Sequence, residues 1–110
     1  MTPMKNKIIS DSLEWNEGKV KGFFGKDFIN ATNGTVKLVK VAPHQKYPVH
    51  KHPDKMEYAY VVQGNPAFFI EDTLHSSEAG NFFIFPANAH HAIENNTDED
   101  CIMIIGSIKQ

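Results

Sequence analysis

His50, His52 and Glu57 lie close together in the chain and hold the groups best suited to chemistry. Histidines two apart on an extended segment point to one face, because strand side chains alternate with a period of two. Pro53-Asp54-Lys55 is a turn signal that can bring the Glu57 carboxylate back alongside the two rings. Two imidazoles and a carboxylate make the donor set of an open divalent metal site. His90 or His91, beyond another apolar run, could supply a further imidazole. As neighbours on a strand, only one of the two can point inward.

The elements that must position these groups read as strands. Asn33-Gly34 is a two-residue hairpin signal, and it feeds the β-branched run Thr35 to Val41, ended by Pro43. Val20, Phe23, Phe24, Phe28 and Ile29, broken by Gly22 and Gly25, suggest short strands with a turn. Further strands are expected over 58–63, 67–71, 82–85, 90–95 and 101–108, with polar connections at 72–79 and 96–100. No stretch holds a 3.6-residue apolar period with capping signals, so helix should be nearly absent. Residues 1–19 are weakly patterned and are expected to form an arm or docking strand, with Trp15 as its packing anchor. Residues 20–110 then make the single globular unit.

Length and composition narrow the function classes. At 110 residues there is room for one domain, whose core needs no disulfide. A net charge of −2 with scattered lysines offers no basic face for nucleic acid. No apolar run approaches the ~18 residues of a membrane span, and no signal-peptide core is visible. The single cysteine, Cys101, lies in an apolar run and reads as a buried core residue. It excludes an intrachain disulfide, and a cytoplasmic location is expected. The runs 82–85 and 102–105 are apolar on both faces, which calls for a cover over the outer face. A homodimer is the expected cover.

Two segments together resemble the cupin superfamily. The first cupin motif runs Gly, five residues, His-x-His, three or four residues, Glu, six residues, Gly. His50, His52, Glu57 and Gly64 match it, with His44 in place of the leading glycine. The second runs Gly, five residues, Pro-x-Gly, two residues, His, three residues, Asn. Gly80, Pro86, His91 and Asn95 match, with Asn88 in place of the inner glycine. The resemblance covers residues 44–95. It implies an all-β fold, an antiparallel jelly-roll barrel or double-stranded β-helix. It also implies one metal ion held inside by His50, His52, Glu57 and His91. Imidazole and carboxylate suit Fe, Mn, Ni, Cu, Co or Zn, and three histidines argue against Ca or Mg; the expected ion is Fe, Mn, Ni or Zn.

If the strand carrying Glu57 is regular, Ala59 and Val61 share its inward face and leave space for a small ligand beside the ion. Tyr58, Tyr60 and Val62 then face outward. His44 and His75 are expected in exposed loops, and Asn95 as a turn cap. The leading functional expectation is a metal-dependent enzyme, a dioxygenase, isomerase, epimerase or lyase, acting on a small oxygenated metabolite. The alternative is a non-catalytic, metal-dependent protein that binds or senses a small molecule. Glu71, Tyr58, Tyr60 and His75 are the acid–base candidates nearest in sequence, and catalytic residues other than metal ligands are not identified.

Overall fold

The structure is a computed structural model and describes residues 5–110. The first four residues of the expected arm lie outside the described residues. Ten strands follow a short 3-10 turn at Ser10–Ser12. They are β1 (Asn16–Glu17), β2 (Phe23–Asn30), β3 (Gly34–Val41), β4 (Lys46–His50) and β5 (Lys55–Gln63). β6 (Ala67–Ile70), β7 (Thr73–His75), β8 (Phe82–Phe85), β9 (His91–Glu94) and β10 (Cys101–Lys109) complete the fold. Among the described residues there is no α-helix.

The strands form two antiparallel sheets. One has the order β1-β2-β3-β10-β5-β8 and the other β4-β9-β6-β7. From β3 onward the chain passes repeatedly from one sheet to the other, as a jelly roll requires. The two sheets face each other as a double-stranded β-helix, and no hydrogen-bonded strand pair of the described residues joins them into a closed barrel. The core between them is apolar at one end, where Val41, Val61, Phe68, Phe85, Cys101 and Met103 are almost entirely buried. Burial also pushes the Cys101 thiol up from its ordinary value, which suits a packing residue and not a nucleophile.

Local turn chemistry decides several boundaries. The Asn33-Gly34 signal marks a real hairpin, but neither residue has positive φ, and the closing pair is Asn30 with Thr35. The connection is therefore longer than a two-residue primed turn. Gly25 does not break the strand expected around it and lies within β2, while the turn falls at Gly22, whose φ is +83°. The polar stretch after β6 contains the short strand β7, because pairing with β6 holds it extended despite its composition. His75 therefore sits on a strand, 5.8 Å from the Phe83 ring, and not in a loop.

Five turns in the left-handed region punctuate the centre of the chain: His44 at φ 61°, Gly64 at 87°, Glu71 at 54°, Gly80 at 94° and Asn88 at 66°. A side chain at Gly64 would also meet Cys101 Sγ at 2.9 Å, so glycine is required there twice over. His44 carries the strain of its turn with its Nε2 2.7 Å from Asp98 Oδ1. Asn95 is fully buried and closes the turn after β9. Its Nδ2 lies 2.9, 3.2 and 2.7 Å from the carbonyl oxygens of Val41, Ala42 and Glu99. Its Oδ1 accepts from the Thr97 N–H and hydroxyl.

The outer face of the larger sheet is only half covered. Trp15 spans Lys26 and Lys40, with ammonium groups 4.5 and 4.8 Å from its ring, and Lys26 Nζ donates to the Ser10 carbonyl at 2.8 Å. On β5 and β8, Tyr60, Val62, Phe82 and Ile84 stay exposed. Tyr58 lies across Gly106 and stacks on Phe82, ring centroids 5.6 Å apart.

Candidate metal centre

A break in strand regularity prepares the site. β4 pairs with β9 as Tyr47 with Ile93 and His50 with His91, and the register shifts between the two pairs. Pro48 has no N–H to give to a ladder, so the irregularity falls where pairing is weakest. The result is that Tyr47 and His50, an odd number of positions apart, both line the same interior cavity. His52 follows in the loop to β5, and its carbonyl accepts the Asn88 N–H at 2.8 Å. That bond fastens the turn before β9 to the loop carrying His52.

Glu57 enters from β5, opposite Phe85 on one side and Ser107 on the other. His91 opens β9 and stacks on Phe85, centroids 4.6 Å apart and nearly parallel. His91 is buried, whereas His90, just before the strand, is exposed. His50, His52, Glu57 and His91 thus converge, with one potential ligand atom from each lying within 4.8 Å of the others.

The donor chemistry fits a transition-metal ion. Metal–donor bonds of about 2.1 Å put neighbouring donors about 3.0 Å apart at octahedral angles and about 3.4 Å apart at tetrahedral ones. Glu57 Oε1 lies 3.0 Å from His52 Nε2 and 3.1 Å from His91 Nε2. The Nδ1 atoms of His50 and His91 face the carbonyl oxygens of Pro48 and Ala89, at 2.8 and 3.1 Å. A carbonyl only accepts, so a neutral ring that donates from Nδ1 has its Nε2 lone pair available to a cation.

The electrostatics favour the metal-ready forms. Burial, reinforced by Lys55 and the neighbouring histidines, lowers the His52 pKa against the pull of Glu57. For Glu57 burial is the largest influence and acts upward. The His91 hydrogen bond and the charges of His52, Lys55 and His91 together outweigh it and hold the carboxyl below its ordinary value.

The four donors open onto a cavity of about 450 Å³. Ala59 and Val61 do share the inward face but are fully buried in the packed end of the core and do not line it. The space lies instead towards Phe23, Gly25 and Val39 on β2 and β3. None of Glu71, Tyr58, Tyr60 or His75 borders it. Tyr47, Asp27, Lys37, Lys55 and residues 16–20 do, and sequence reading passed over all of them. Lys55 was within reach, since it precedes Glu57 by two positions on the same strand. Tyr47 was not, because only the register shift turns it inward.

Comparison with known proteins agrees with this architecture. The chain superposes on KdgF from Halomonas sp. with a TM-score of 0.87 and 19% identity, covering 97% of this chain and 96% of that one. A predicted oxalate decarboxylase from Thermotoga maritima gives a TM-score of 0.87 at 17% identity, covering 94% and 99%. At these identities the likeness concerns the fold. In sequence, 76 residues are 26% identical to the polyketide synthase CurC of Streptomyces cyaneus, 69% of this chain and 49% of that protein. The chain thus spans about half the length of that curated relative. The profile of the cupin domain matches residues 37–106, which takes in the strands from β3 to β10 and all four converging side chains. With most of its length matched and its two sheets arranged as described, the chain belongs to the cupin family.

Proposed function

We propose that this protein is a mononuclear metal cupin in which His50, His52, Glu57 and His91 bind one divalent ion, Fe, Mn, Ni or Zn. The convergence of their donor atoms within 4.8 Å, at the edge of a cavity, carries the reading. Four protein ligands leave one or two positions on an ion that takes five or six. An ion so held supplies Lewis acidity towards a carbonyl or carboxylate oxygen. The cavity suits a small oxygenated metabolite, and the proposed activity is that of a dioxygenase, isomerase, epimerase or lyase. Tyr47 and Asp27 border the same space and are the side chains placed to move a proton.

The test is elemental analysis of the purified chain, followed by turnover assays of the loaded protein on small keto acids, sugars and diphenols. One equivalent of metal in the wild type and none in His52→Ala, with the β fold kept, supports the site. Unchanged metal content in the variant removes it. Binding without turnover across the panel would favour the non-catalytic reading, a metal-dependent small-molecule binding or sensing protein.

We also propose a homodimer built on the uncharged exposed face of Tyr60, Val62, Phe82 and Ile84, joined by a two-fold axis. Sedimentation should show a dimer that Phe82→Lys converts to a monomer. Residues 1–19 are read as an arm on the unit 20–110, and the lone buried thiol supports a cytoplasmic setting. Among the described residues no helix is long and apolar enough to cross a membrane.

A further inference from the structure

The cavity carries charges that metal binding does not require. Lys55 lies two residues before Glu57 on β5, is partly buried, and lines the same space. Lys37 on β3 and Lys19, in the turn after β1, border it as well. The ion pairs of the described residues involve none of these three ammonium groups. Apart from Glu57, the acids of the lining are Glu17 and Asp27, and one Glu17 oxygen already accepts the Gly22 N–H at 2.9 Å. A divalent ion on Glu57 adds one further positive charge, so the cavity becomes net positive by two. Concave walls of low polarity concentrate such a field, and here they are formed by Phe23, Val39, Phe85, Ile93 and Ile105.

We infer that the cavity selects a small carboxylate, whose anionic group bonds to Lys55 while Lys37 and Lys19 raise its local concentration. The ligand's other polar end then faces the four donors, and for that second anchor the inference rests on the metal reading above. Lys55 is thereby a specificity-determining residue. A neutral ligand of the same shape would leave its ammonium group in a half-buried position without a partner.

Calorimetric titration of the metal-loaded chain with pyruvate and with its neutral analogue hydroxyacetone tests this, each preparation having its metal content measured first. Pyruvate should bind more tightly than hydroxyacetone. Because a carboxylate also prefers the ion itself, the decisive readout is the variant. Lys55→Gln should weaken pyruvate about tenfold, the scale of a hydrogen bond to a charged group, and hydroxyacetone less than about twofold. Lys37→Gln stands apart from the four donors and should weaken pyruvate about two- to fivefold at low salt, as expected of an exposed charge. Metal stoichiometry should stay at the wild-type value in both. Wild-type pyruvate affinity in both variants, or a wild type that fails to prefer pyruvate, overturns the inference. A chain that takes up no metal sinks the metal reading alone, and the same titrations on that protein then decide the role of the lysines.

Discussion

His91 meets Glu57 through Nε2 and Oε1, 3.1 Å apart, while its Nδ1 faces the carbonyl oxygen of Ala89. Both partners are acceptors, and a neutral imidazole has one N–H to give. A neutral ring cannot satisfy both, and a cation at Nε2 would satisfy Glu57 while Nδ1 donates to Ala89. Metal uptake resolves the conflict and should stabilise the fold. At a free metal concentration of 100 times Kd, linkage gives about 2.7 kcal/mol. For a domain of this size that raises Tm by about 10 °C. Thermal melts with and without Mn or Zn, reversed by a chelator, check this. An unchanged Tm counts against a site in the folded state.

Acid should act on the metal-free protein through the same cluster. His52 has a pKa lowered from 6.5, so below that value the unfolded chain binds a proton that the fold resists. Glu57 has a pKa lowered from 4.5, so its contribution is present above that value and fades as pH falls through the folded-state value. Both groups therefore destabilise the fold as pH falls. Stability measured by urea melts should decline from pH 6.5 downward and again below 4.5. His52→Ala should flatten the first decline, and a variant with the wild-type profile would contradict the assignment.

Asn95 ties two segments together from a site with no access to water. Removing its amide leaves the carbonyls of Val41, Ala42 and Glu99 and the Thr97 N–H to find other partners. Asn95→Ala should cost about 2–4 kcal/mol, since each stranded buried group costs about 1–3. Denaturant melts with an unchanged m-value provide the measurement.

The left-handed turn at His44 predicts a gain. A non-glycine residue in that region costs about 1–2 kcal/mol, and the exposed pair with Asp98 returns about 0–1. His44→Gly should therefore stabilise the protein by up to about 1 kcal/mol, less what glycine adds to the entropy of the unfolded chain. Asn88→Gly should give less, because asparagine tolerates positive φ best among the others. A loss of stability in His44→Gly would show that its contact with Asp98 matters more than the turn.

Much of the architecture was legible because alternation and turn residues act locally. Period-two patterning correctly turned Ala59 and Val61 inward and Tyr60 and Val62 outward on β5. The convergence of His50, His52, Glu57 and His91 followed from strand spacing and from the cupin resemblance together. What escaped was set by long-range pairing. β7 exists only because β6 lies beside it, and Tyr47 faces the cavity only because its register against β9 slips. The cavity's far wall, from β1, β2 and β3, could not be assigned without knowing which strands become neighbours.

Residues 16–20, together with Phe23, Gly25 and Asp27, furnish the part of that wall that precedes the region 37–106, while Lys37 and Val39 on β3 lie within it. Part of the cavity's shape is thus written ahead of the matched region, whereas Lys55 and the four converging side chains lie within it. Changes in the leading hairpin can therefore reshape that side of the cavity while leaving His50, His52, Glu57 and His91 untouched.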